Sequence, residues 1–208
     1  MPEMPGGAVA LAFLAAAAWS LFDLERRFLS ARVEAMALVA WVTLGALPPL
    51  AVWAWASGQQ HLESAYWLPA AGSVGLNLLA NFLYFRSLQL SPLSQTLPML
   101  SFTPPFAAVL AAVFLGERLG IRPVVGLVLV VLGALLLTLR PGRGWRGLFA
   151  GLYGDRGCRL MVAVAFLWSA TLLLDKRALA SGTPHLHALV LNGGVAAGAL
   201  AVLAARRD

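Results

Sequence analysis

The sequence predicts an all-α, polytopic membrane helix bundle. The chain of 208 residues is 60% hydrophobic and 12% charged, whereas a soluble domain carries about 25% charged residues. Its apolar residues fall into seven runs, each near the roughly 20 residues needed to cross the hydrocarbon core of a bilayer. No run alternates polar and apolar residues as a membrane barrel strand does. Lipid offers no hydrogen-bond partners, so each run closes its backbone bonds only as a helix.

The runs are read in order. The first, 7–27, has no Lys or Arg before it, so it is expected to be a span and not a signal peptide. The second, 34–56, contains Pro48-Pro49, a bend that shapes the bundle. The third, 66–88, carries Ser73, Asn77, Asn81 and Tyr84. Their spacing puts them on one helical face. Such a stripe is costly in lipid, so it lines a water-filled cavity or bonds to neighbouring helices.

The fourth run, 93–115, contains Pro98, Pro104 and Pro105 and is expected to be bent or broken. Carbonyls freed there line a site or are satisfied by Ser101 and Thr103. The fifth, 121–139, places Gly126 and Gly133 on one face, expected to permit close helix packing. A connection rich in Gly and Arg, 140–159, leads to the last two runs, 160–180 and 186–205.

The net charge of +6 comes from bases in short connections, the pattern of a membrane protein and not of a nucleic-acid binder. The expected partner is the lipid bilayer. His61 lies in a loop, and His185 and His187 have no Cys or acid at ligand spacing, so neither a metal nor another cofactor is expected. No nucleotide-binding motif is present. A membrane-embedded enzyme would need a nucleophile with its base, or an acid cluster; neither is found, and no catalytic residue is assigned.

Two segments repeat. "WSLFDLERRFLS" begins at Trp19, and "WSATLLLDKRALAS" begins at Trp168. With a one-residue gap, Glu25-Arg26-Arg27 falls on Asp175-Lys176-Arg177. Five spans separate the copies. Five is odd, so the second copy enters the membrane from the opposite side, which is the inverted repeat common among secondary transporters. Domain one is therefore 1–145, and domain two begins at 146 with two helices by residue 208. The second repeat is incomplete, and the chain is expected to be a fragment or to depend on a completing chain or an oligomer.

Trp19 and Trp168 occupy matching positions, where they pack or face a cavity. Asp23, Glu25 and Asp175 neutralise helix ends or serve as coupling groups in transport. Asp23 and Arg27 are four apart and are expected to pair.

The stretch from Leu88 to Leu137 resembles the fourth and fifth helices of the EamA-type drug/metabolite transporter superfamily. It carries Ser91-Pro92, Pro104-Pro105, Gly116-Glu117-Arg118, and Gly126 with Gly133. "LWSATLLLDKRALASGTP", residues 167–184, looks like that family's sixth helix. The resemblance implies a carrier in the plasma or inner membrane that moves small organic metabolites or drugs by alternating access. Its cavity would draw on Trp19, Ser73, Asn77, Asn81, Tyr84, Ser101, Thr103, Pro104 and Trp168.

Orientation stays open. Arginines concentrate after the odd-numbered spans, which places the N-terminus outside. The family resemblance implies ten helices with both ends in the cytoplasm.

Overall fold

A computed structural model describes residues 6–58, 61–116, 120–137 and 154–206. The first helix, α1 (Gly6–Ser30), turns through 31–34 into α2 (Ala35–Ser57). Gly58 ends α2 in the left-handed conformation with φ 66°, where a side chain would be strained. A 3-10 turn (Ser64–Tyr66) then opens α3 (Trp67–Leu90).

The fourth span is broken. It comprises α4 (Leu93–Thr96), a 3-10 segment (Leu97–Phe102) and α5 (Thr103–Leu115). Pro98 sits at the start of the 3-10 segment and Pro104-Pro105 at the start of α5, where a missing amide proton costs least. Next come α6 (Ile121–Leu137), α7 (Arg156–Leu179) and α8 (Pro184–Ala205).

Six helical stretches among the described residues are long and apolar enough to cross a membrane, and a shorter apolar helix covers Ile121–Ala134. The chain is a multi-pass helical membrane protein. The boundary expected between repeats, near 145, lies outside the described residues, as do Glu117-Arg118 and most of the 140–159 connection.

Packing centres on two pairs: α3 lies along α7, and α2 along α8. Side chains of α2, α3, α7 and α8 form the core, with Val39, Leu88, Met161 and Val195 buried together with Met99. α1 stays peripheral, and nothing in its most apolar stretch is buried inside the protein. Leu11, Phe13, Leu14 and Phe28 are exposed and suit a lipid-facing surface.

Small residues set the close approaches, though not those the sequence suggested. A Cβ at Gly126 or Gly133 would meet nothing within 4 Å among the described residues. The tight positions are on α8 and α7. A Cβ at Gly194 would lie 2.8 Å from Val74, one at Gly198 2.7 Å from Leu78, and one at Gly157 2.9 Å from the Ser87 carbonyl. These glycines let α3 approach α7 and α8 closely, the usual solution where lipid drives no helix association.

Polar ties at the helix ends fix the arrangement. On one side of the bundle Glu63 N–H donates to the Ser181 carbonyl at 2.9 Å, joining the α2–α3 and α7–α8 loops. On the other side Arg206 pairs with Glu34 at 2.5 Å, and the Ser87 hydroxyl donates to the Gly157 carbonyl at 2.7 Å.

Asp155 caps α7 there. Its carboxylate accepts from the Cys158 amide at 2.8 Å and from the Ser91 hydroxyl at 2.5 Å. Burial pushes this carboxyl up, but those hydrogen bonds outweigh it and hold the group below its ordinary value of 3.8. A depressed acid stabilises the fold above its unfolded value and loses that contribution as pH falls through the lower folded one. Asp155→Ala should therefore destabilise the protein at pH 7 by about 1 kcal/mol, the usual worth of a cap. In thermal melts of detergent-solubilised protein, the gap between variant and parent should close as pH drops below 3.8. A gap that persists at low pH would rule out the carboxylate as its source.

Candidate functional site

The polar stripe of α3 is the organising feature. Ser73 and Tyr84 are fully buried, and Asn77 and Asn81 are half-buried between them. The Asn77 amide donates to the Ser73 carbonyl at 3.1 Å and to the Ser73 hydroxyl at 3.3 Å. The Asn81 amide donates to the Asn77 carbonyl at 2.8 Å. Both amides bond along their own helix. Among the described residues neither reaches another helix, so the two asparagines are not interhelical glue.

The ends of the stripe do reach other helices. The Ser73 hydroxyl donates to Asp175 of α7. The Tyr84 hydroxyl donates to Asp23 of α1 at 2.8 Å. Eleven residues separate Ser73 from Tyr84, about 16 Å along a helix. Asp23 and Asp175 thus meet α3 toward its two ends.

The Asp23 end is an ion pair in an aromatic box. Arg26 Nη1 lies 3.5 Å from Asp23 Oδ1. The Arg26 guanidinium sits 3.9 Å from the centre of the Phe22 ring and 5.4 Å from that of Tyr84, within cation–π range. Arg26 is buried, and its Nε has no hydrogen-bond partner. The expected partner of Asp23, Arg27, instead donates to the Leu88 carbonyl. That carbonyl is in the last turn of α3, where no amide follows to satisfy it. Because Arg26 and Arg27 lie in helix α1 and are bonded there, they are weaker orientation signals than loop arginines.

The Asp175 end adds residues that the sequence reading passed over. His187 Nε2 lies 3.1 Å from Asp175 Oδ1, and its Nδ1 lies 3.0 Å from the Tyr66 hydroxyl. In the sequence, no acid stands at ligand spacing from His187. Asp175 and His187 are instead equidistant from Ser181, at the turn of the α7–α8 hairpin, so antiparallel helices bring them level. Symmetry about a short turn was the available signal.

The remaining candidates divide. Trp168 packs over Tyr84 with ring centres 5.6 Å apart. Trp19, its counterpart in the repeat, is 60% exposed and faces outward. Glu25 is also exposed and joins neither cluster. Ser101 and Thr103 are half-buried, and Pro104 is exposed. The Thr103 carbonyl accepts the Ser169 hydroxyl of α7 at 2.8 Å, which ties the broken span to α7. The described residues contain no group of three or more His, Cys, Asp or Glu able to hold a metal ion.

A sequence profile of the EamA-like transporter family matches residues 6–139. The chain belongs to that family. It is 32% identical over 131 residues to a protein of Archaeoglobus fulgidus described as an uncharacterized transporter. That match takes in 62% of this chain and 46% of the relative, so the chain spans about half the length of the protein it matches. No solved structure matches significantly. The profile match on this EamA-like chain runs from α1 through α6 and includes the α3 stripe and the Asp23 cluster. The α7–α8 hairpin with Asp175 and His187 lies beyond it.

The aromatic box gives a stability test. Arg26→Met should cost about 3 kcal/mol or more, because it leaves Asp23 buried without a counter-charge. Adding Asp23→Asn should recover most of that loss, as the Tyr84 hydroxyl keeps an acceptor. Thermal midpoints of the two variants in detergent decide the matter, and equal destabilisation of both would refute the ion-pair account.

Proposed function

We propose that this protein is a secondary carrier of small organic metabolites or drugs and not an enzyme. It works by alternating access in the plasma or inner membrane. One observation supports this above others: α3 keeps two half-buried asparagine amides pointed along itself, with no other helix among the described residues bonded to them. Polar side chains held this way near the middle of a span suit an aqueous, substrate-lined wall better than a packing seam.

In this reading Asn77 and Asn81 contact substrate, flanked by Tyr84 and Trp168, whose rings offer an apolar face. Ser101, Thr103 and Pro104 line the kinked side. The 1–145 and 146–208 segments are the first inverted repeat and the start of the second, and they rock about α3. The exposed apolar faces of α1 and α6 suit further helices from a completing chain or a second copy as well as they suit lipid.

The test is uptake or counterflow of a panel of radiolabelled metabolites and drugs in reconstituted vesicles. Asn77→Leu or Asn81→Leu should lower the rate at least tenfold for any compound that moves. Each loses only a bond within its own helix, so the variants should remain folded. Unchanged rates in well-folded variants would reject the cavity wall.

A further inference from the structure

The two acids that anchor α3 sit in opposite electrical situations. Asp23 faces Arg26, a base that stays protonated at any physiological pH. That pair is neutral and has no proton to exchange. Asp175 faces His187, which is the one side chain type that gains or loses a proton near neutral pH without special help.

The hydrogen-bond partners assign the imidazole tautomer. A carboxylate only accepts, so Nε2, at 3.1 Å from Asp175, carries the hydrogen. Nδ1 then accepts from the Tyr66 hydroxyl at 3.0 Å. Ser73 donates to the same Asp175 oxygen. In this state the four groups together carry one negative charge.

We infer that Asp175 and His187 form a proton-binding site whose loading makes this end of the bundle neutral and so couples proton movement to the opening of α7 from α3. The inference rests on the carrier reading above. One proton enters and belongs to the pair as a unit. With it on Nδ1, the Tyr66 oxygen turns from acceptor-facing donor to acceptor. The net charge of the cluster rises from minus one to zero, which removes the main penalty for holding it away from water.

Lys176 and Arg177 follow Asp175 on exposed faces of α7. On α8, His185 packs edge-on against Trp53 of α2 with ring centres 6.0 Å apart, and its Nε2 lies 3.2 Å from the Thr183 hydroxyl. His61 and Glu63 pair with each other at 3.2 Å in the exposed loop before Tyr66. Among the described residues, α2 and α3 bring no other ionisable group to the site. The pair also lies near the facing ends of α7 and α8, within about 6 Å of those ends along the helix axis.

The test uses the full chain carrying His61→Gln and His185→Gln, which leaves His187 as its one histidine. With ¹⁵N-labelled histidine in nanodiscs, the ring should be a single Nε2–H tautomer at pH 8 and doubly protonated at pH 5. Asp175→Ala should lose the single tautomer. In vesicles, accumulation of the transported compound should be driven at least tenfold by a pH gradient, and His187→Gln should abolish that drive. A ring that stays neutral from pH 8 to 5 overturns the proton site, as does accumulation indifferent to the gradient. Counterflow measured with no gradient judges the carrier reading separately. Counterflow without proton drive would sink this inference and leave the carrier intact.

Discussion

The structure depends on one constraint: hydrocarbon gives a polar group nothing to bond to. α3 carries polar side chains through its length, and its neighbours are arranged around meeting that demand. Ser73 finds Asp175, Tyr84 finds Asp23, and each contact fastens a different helix. Replacing Asp23 or Asp175 by an apolar residue would leave the buried hydroxyl of Tyr84 or Ser73 without that acceptor, which costs more than the bond itself contributes. The stripe thus specifies which helices flank α3 and in what register. The glycines at 157, 194 and 198 then set how near they come.

Much of the fold was legible in the sequence because lipid simplifies the code. A long apolar run has only one way to close its backbone, so helix count, order and approximate bounds followed from hydropathy alone. The break in the fourth span followed from three prolines, since a missing amide hydrogen is a local fact. The stripe on α3 was legible for the same reason, because helical spacing is local.

What was not legible was which residues meet across helices. Arg27 was the better helical neighbour of Asp23 by spacing, yet the Leu88 carbonyl holds it and Arg26 takes its place. Gly126 and Gly133 have the spacing of a packing face but meet nothing among the described residues, while Gly157 and Gly198 do the packing without a motif. His187 was passed over because its partner is reached through a turn. Periodicity reads one helix at a time, and these are properties of helix pairs.

The two segments with similar sequence meet α3 through different chemistry. Each supplies an acid to α3, although the acid aligned with Asp175 is the exposed Glu25 and not Asp23. The counter-groups differ: a permanent cation boxed by aromatic rings at one end, and a histidine bonded on both nitrogens at the other. The tryptophans diverge in the same way, with Trp168 against Tyr84 and Trp19 turned outward. A bundle with two permanent ion pairs would be held shut at both ends by contacts that no solution condition in a cell could loosen. One with two titrating pairs would let go at both ends together. On the proton site inferred above, keeping one of each would make the α1 contact constant and the α7 contact conditional, so that the hold of α7 and α8 on α3 would depend on what the aqueous phase supplies.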